Sequence, residues 1–308
     1  MRLLLYRLDG NTAPWASDFR VALPGCDIVE WREGAVPPCD YALVWGAPAE
    51  LLAQLGGVKA IFVAGAGVDA LLKFGDTLPD VPLVRLGDAG MGVQMAEYVL
   101  HAVLRYFRRF DDYDSQAREG VWAPLSLPSR QDFTVGVMGI GELGSAVLRA
   151  FEPLNFPLRG WSRTPKAIDG VRCFAGPAQL DAFLAGTRVL VCMLPLTAET
   201  NNLLDRALLE KLPRGAYLIN VARGSLVAEP DLLALIKSGH IAGATLDVFR
   251  NEPLPAPHPF WGEPKISITP HISALTVREE SVRQVARQIM AHEAGQGLVH
   301  VVDRSRGY

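Results

Sequence analysis

The chain has 308 residues, 49% of them hydrophobic and 20% charged, with a formal net charge of −3. That composition gives ample apolar material for one large or two ordinary globular domains and excludes a disordered or fibrous chain. No global basic field argues for nucleic acid or an anionic membrane, and no stretch approaches the roughly 20 apolar residues of a membrane helix.

The opening "MRLLLYRLDG" has three consecutive leucines before Arg7 and Asp9. That apolar run is too short for a signal peptide and reads as a first strand. Cys26, Cys39, Cys173 and Cys192 lie far apart, without CxxC or framework spacing. They read as free thiols in a reducing compartment, and a cytoplasmic location is expected. Strand-like and helix-like stretches then alternate throughout, which predicts α/β architecture with parallel sheets. In the first hundred residues strands are predicted at 2–7, 27–32, 41–45, 58–63 and 81–86, with short helices such as 48–55 between them. No Gly or Pro interrupts the chain between Gly92 and Gly120, so one long helix connecting two domains is expected there.

A second α/β series starts at Phe133, with strands at 133–138, 158–161, 188–194, 216–221, 244–249 and 266–269. Helices are predicted at 141–151, 199–211 and 229–238, the last capped by Gly239. A final helix, about 276–296, is expected to cross back to the first domain.

"TVGVMGIGELGSAVLRAF" places Gly139-x-Gly141-x-x-Gly144 between a β-rich run and a helix, the context that a dinucleotide motif requires. Gly139 permits the tight turn, Gly141 a close approach of the backbone to a pyrophosphate, and Gly144 the packing of helix on strand. The helix N-terminus adds free N–H groups and a positive dipole end. An acid would normally end the second strand and bind the ribose 2′-hydroxyl. Ser162, Arg163 and Thr164 stand there instead, with Lys166 behind them and no carboxylate before Asp169. A guanidinium and short hydroxyls suit a 2′-phosphate, so the site reads as one for NADP(H), NADPH in preference to NADH.

Three later segments combine unusual residues. "LINVARGSL" ends a strand in Arg223-Gly224, "LDVFRNEPLP" puts Glu252 in a Pro-bounded loop, and "ISITPHIS" places His271 after the last strand. A cation, an acid and a base thus fall at strand C-termini, where open α/β sheets bind ligands. No His/Cys/Asp cluster has metal-ligand spacing, so no metal is expected.

The glycine motif, "NVARGSLV", "DVFRNEPLP" and "TPHIS" resemble, in order and spacing, the D-isomer-specific 2-hydroxyacid dehydrogenase family. "MAEYVL" onwards resembles its interdomain helix and "VAGAGVD" its substrate loop, so the likeness covers nearly the whole chain. It is nearest the short glyoxylate/hydroxypyruvate reductases. The resemblance implies a Rossmann nucleotide domain, about 99–274, inserted in a flavodoxin-like substrate domain formed by 1–98 and 275–308. The active site would lie in a cleft between them.

By that resemblance Arg223 binds the substrate carboxylate and polarises its carbonyl, His271 is the acid for keto-acid reduction, and Glu252 orients the imidazole. The chemistry stands on its own terms, since hydride arriving at a keto carbon leaves charge on oxygen that a cation stabilises and a proton neutralises. Cofactor contacts are also implied at Glu142, Leu143, Leu194, Pro195, Val221, Ala222 and Asp247. For the substrate, Ala66 and Gly67 offer backbone N–H groups, and Trp45 and Met95 would wall the pocket; Trp45 reads equally as a core residue. Val63-Ala64 departs from the family's loop, which weakens the substrate assignment more than the chemistry. The chain closes at Tyr308 without an appended regulatory domain, which counts against phosphoglycerate as substrate. A homodimer is implied. Two alternatives remain: a reductase of a bulkier 2-keto acid, and a nucleotide-sensing corepressor-like binding protein.

Overall fold

A computed structural model describes every residue, Met1–Tyr308. The chain begins with β1 (Arg2–Arg7), whose three leucines are buried. α1 (Ala13–Ala22) follows, a helix the sequence reading does not anticipate. Its signal is Pro14 in the first turn, where the missing N–H costs nothing. Then come β2 (Asp27–Glu30), β3 (Tyr41–Trp45), α2 (Ala49–Ala53), β4 (Ala60–Val63), α3 (Asp69–Leu72) and β5 (Leu83–Val84). These strands form a parallel sheet of order β2-β1-β3-β4-β5, the flavodoxin-like arrangement.

The predicted long helix is two helices, α4 (Met91–Phe107) and α5 (Phe110–Arg118). Arg109 breaks it by adopting a left-handed conformation, φ 60°. Such a residue costs about 1–2 kcal/mol. The bend is held by Arg105, which reaches Asp111 at 2.7 Å and also pairs with Asp114. With neither Gly nor Pro present, nothing local announces the break.

The second sheet comprises β6 (Val135–Met138), β7 (Leu158–Ser162), β8 (Val171–Ala175), β9 (Val189–Cys192), β10 (Ala216–Asn220), β11 (Ile241–Leu246) and β12 (Ile266–Ile268). Its helices are α6 (Glu142–Ala150), α7 (Leu180–Leu184), α8 (Arg206–Leu209) and α9 (Glu229–Lys237). Strand order is β12-β11-β10-β9-β6-β7-β8, all parallel, the Rossmann order with one strand added. Neighbouring residues feed opposite cores: Val189 and Val191 pack on one face, Leu190 and Cys192 on the other. Both faces are covered, so these strands are continuously apolar. β8 is absent from the sequence reading, and the helix predicted at 199–211 contracts to α8. Asn202 is left-handed, φ 54°, and the Asp205 carboxylate caps the N–H of Leu208 at 2.8 Å, so the helix starts late. Gly239 ends α9 as expected, with φ 70°.

α10 (Arg278–Glu293) packs with the first sheet: Arg278 pairs with Asp18 of α1 at 2.7 Å, and the Tyr41 hydroxyl donates to Glu293 at 2.6 Å. The chain divides into two compact units, one of Met1–Met91 with Thr276–Tyr308, the other of Gly92–Leu275.

Candidate active site

The order of the second sheet reverses between β6 and β9, where open α/β sheets form their ligand crevice. Gly139 turns there with φ 106°, and a Cβ on it would stand 2.6 Å from the Met193 carbonyl oxygen. A Cβ on Gly144 would meet the Gly139 oxygen at 2.1 Å, so α6 packs as closely as a glycine allows. Around Gly141 the opposite holds, for nothing lies within 4 Å of a Cβ built there. Gly141 caps α6 without a side-chain hydrogen bond, so no cap masks the positive end of the helix, which suits an anion. This cradle fits a pyrophosphate. Glu142 is exposed and Leu143 half-buried in that turn, while Leu194, Val221 and Ala222 are buried past the ends of β9 and β10. Pro195 is fixed through its carbonyl, which accepts from the Thr200 hydroxyl at 2.7 Å.

At the end of β7, Ser162 is buried and donates to the Thr164 carbonyl at 2.8 Å. Lys166 reaches back to the glycine loop and donates to the Ile140 carbonyl at 2.8 Å. Arg163 and Thr164 lie exposed beside it. The fold thus sets a cationic, hydroxyl-bearing turn against the glycine loop, with no carboxylate to repel a 2′-phosphate.

Arg223, Glu252 and His271 follow β10, β11 and β12, which are neighbours in the sheet. Two strand spacings separate the outer members, roughly 10 Å. Asn220 is fully buried and shapes the first loop, donating to the Arg223 carbonyl at 2.9 Å and accepting from the Ala222 N–H at 3.2 Å. Arg223 is half-buried and donates to the Ala222 carbonyl at 2.7 Å. Gly224 must be a glycine: a Cβ would stand 1.8 Å from the Phe249 carbonyl carbon. That contact presses the Arg223 loop against the loop after β11.

His271 Nδ1 lies 2.8 Å from Glu252 Oε2, and Glu252 Oε1 accepts the Phe249 N–H at 2.9 Å. A carboxylate only accepts, so Nδ1 carries the hydrogen and Nε2 is the ring atom left for proton exchange. His271 is left-handed, φ 56°. Asp247, expected among the cofactor contacts, also has a task within the fold. It is fully buried, and its carboxylate accepts from the Ile272 and Ser273 N–H groups, each at 2.8 Å, and the Thr269 hydroxyl at 2.6 Å.

In the first unit Trp45 ends β3 and is 39% exposed, which removes the core alternative. Its indole lies over Gly65, where a Cβ would come within 2.4 Å of the ring. Ala66 and Gly67 are half-buried, and their N–H groups donate to no protein acceptor. Met95, in the second unit, is buried in α4. Sequence reasoning missed Asn220 and Thr269. Both flank quoted motifs, but their roles depend on backbone geometry that spacing does not show.

A Rossmann sheet with an anion cradle, an arginine and a carboxylate-held histidine define a nicotinamide-dependent dehydrogenase. The model of the D-isomer specific 2-hydroxyacid dehydrogenase NAD binding domain matches residues 100–273. The chain belongs to the D-isomer specific 2-hydroxyacid dehydrogenase family. It is 47% identical to glyoxylate/hydroxypyruvate reductase A of Yersinia enterocolitica and 46% identical to that of Serratia proteamaculans, each over 100% of both chains. Among solved structures, a family member from Xanthobacter autotrophicus in complex with NADPH and MES superposes with a TM-score of 0.95 at 42% identity, covering 100% of this chain and 99% of that one. The NADPH-dependent glyoxylate/hydroxypyruvate reductase of Sinorhizobium meliloti, in complex with NADP and sulfate, gives 0.92 at 35% identity with the same coverage.

Proposed function

We propose that this enzyme reduces glyoxylate and hydroxypyruvate to glycolate and glycerate with NADPH. The observation that carries the reading is the Glu252–His271 pair at 2.8 Å, in the loops after β11 and β12, with Arg223 in the loop after β10, the next strand of the sheet. The Gly139–Gly144 loop and the α6 N-terminus hold the pyrophosphate, and Ser162, Arg163, Thr164 and Lys166 take the 2′-phosphate. Glu142, Leu143, Leu194, Pro195, Val221 and Ala222 line the rest of the cofactor. When bound, the nicotinamide supplies a hydride to the keto carbon.

The chain's own residues do the rest. Arg223 draws the carboxylate and carbonyl oxygen of the substrate to its guanidinium, and that charge stabilises the developing alkoxide. His271 passes its Nε2 proton to the alkoxide, and Glu252 keeps the ring in the tautomer and orientation for that transfer. Ala66 and Gly67 donate backbone N–H groups to the carboxylate, while Trp45 and Met95 wall the pocket and limit it to small acids. Asp247 holds the His271 turn and keeps the cofactor contact expected of it.

A homodimer in the cytoplasm is the working assembly. Trp122, 99% exposed, and its exposed neighbours Val121 and Leu127 form an apolar stretch that a second copy would cover. The function is tested by following nicotinamide absorbance with NADPH or NADH and a panel of 2-keto acids. Fast NADPH oxidation with glyoxylate and hydroxypyruvate, and slow oxidation with pyruvate and larger acids, is expected. Faster turnover of a bulky acid would replace the substrate assignment.

A further inference from the structure

A histidine that delivers a proton must be held still, yet His271 sits in a left-handed conformation in a segment without regular structure. Left to itself that conformation is disfavoured, so something outside the segment must impose it. Part of the restraint is Asp247. Beyond its carboxylate contacts, its carbonyl accepts the His271 N–H at 2.8 Å. The rest comes from α4, which lies outside every motif quoted above for the chemistry.

Two α4 side chains grip the two ends of the segment. The Gln94 amide clamps Leu275 at two points: Nε2 donates to the Leu275 carbonyl at 2.9 Å, and Oε1 accepts its N–H at 3.2 Å. One turn further along, the Tyr98 hydroxyl bonds the Thr269 hydroxyl. Residues four apart share a helix face, so α4 presents both grips side by side. The direction of the second grip follows from valence. Thr269 spends its only hydrogen on the Asp247 carboxylate, at 2.6 Å, so Tyr98 must donate to Thr269. The order Tyr98 to Thr269 to Asp247 then runs on to the Ile272 and Ser273 N–H groups that close the turn.

We propose that Gln94 and Tyr98 of α4, acting through Leu275 and through Thr269 and Asp247, are positioning residues for His271. This rests on the reading of His271 as the proton donor. α4 fixes the ends of the catalytic loop, Asp247 fixes its middle, and the imidazole is left with the one freedom that Glu252 removes.

The test uses the whole enzyme and the variants Tyr98→Phe, Gln94→Leu, Thr269→Val and Thr269→Ser. Amide hydrogen exchange in the free protein reads the loop directly. Exchange at Ile272 and Ser273 should quicken about fivefold to tenfold in Tyr98→Phe and Thr269→Val, the loss of one net hydrogen bond, and exchange at Leu275 in Gln94→Leu. kcat should fall by a similar factor in these three variants, with the KM for keto acid and the Kd for NADPH within about twofold of the parent, because orientation and not binding is lost. Thr269→Ser keeps the hydroxyl and should restore both readouts. Unchanged exchange or unchanged kcat in Thr269→Val overturns the proposal, as does a serine variant no better than valine, which would make the threonine a packing residue. His271→Ala, run alongside, keeps two failures apart. Turnover surviving in it overturns His271 as the donor and this inference with it. A dead His271→Ala beside a fully active Thr269→Val overturns the positioning role alone.

Discussion

Arg163→Ala is the sharpest perturbation of cofactor choice. Arg163 is exposed at the end of β7, beside Ser162 and Thr164, so its charge acts through water and not through a dry interior. At about 4 Å in water, two unit charges attract by about 1 kcal/mol. A phosphate monoester carries about −1.5 to −2 at neutral pH, so removing the guanidinium should cost NADPH about 1.5–2 kcal/mol. That is a rise in Kd of about 10- to 30-fold. NADH has only a hydroxyl there, and one hydrogen bond to it at this exposed turn is worth about 0.5 kcal/mol, roughly twofold. Titrating each cofactor by nicotinamide fluorescence at fixed ionic strength measures both. At about 1 M salt, where the screening length is about 3 Å, the NADPH effect should shrink. Equal losses for the two cofactors, or an NADPH effect indifferent to salt, would refute the assignment of Arg163 to the 2′-phosphate.

Glu252→Gln keeps the side chain's shape but not its valence, because both carboxylate oxygens accept, one from His271 and one from the Phe249 N–H. An amide satisfies only one of them, so kcat should fall by about 100-fold with NADPH affinity unchanged, and full activity would show that the pair is not needed. Gly224→Ala forces a methyl group into backbone atoms of Phe249 and Arg250, which no side-chain rotation relieves. A destabilisation of about 3 kcal/mol is expected, lowering Tm by roughly 6–12 °C, and a melt like the parent's would contradict the packing described. Trp45→Ala should open the pocket and shift the ratio of kcat/KM values towards larger 2-keto acids; an unaltered profile would remove Trp45 from the substrate wall.

Much of this architecture is legible in the chain because its signals are local. The apolar runs of β1, β6, β9 and β10 announce buried parallel strands, and Gly139, Gly141 and Gly144 announce a turn with only one structural context. Arg223, Glu252 and His271 could be named because each sits in a short motif at a strand end. The misses have the opposite character. The break at Arg109 is made by contacts between α4 and α5, and α8 is short because Asn202 and Asp205 reshape the chain before it. β8 is a half-buried edge strand whose pattern is weak. Asp247 was visible as a residue of interest, but its hold on the His271 turn was not, since the groups it binds there lie more than twenty residues away. Gln94 and Tyr98 show only helical spacing in sequence, and what they grip becomes visible when the loop is folded against α4.

The proposed chemistry is proton donation by His271, held by Glu252, with the acid bound by Arg223. It is tested most directly by a single-turnover measurement of NADPH oxidation by glyoxylate, in the parent and in His271→Ala under saturating substrate. The variant should bind NADPH as the parent does and lose at least about 100-fold in the rate of oxidation. Oxidation at the parental rate in His271→Ala would contradict it, and the proton would then have to come from another group.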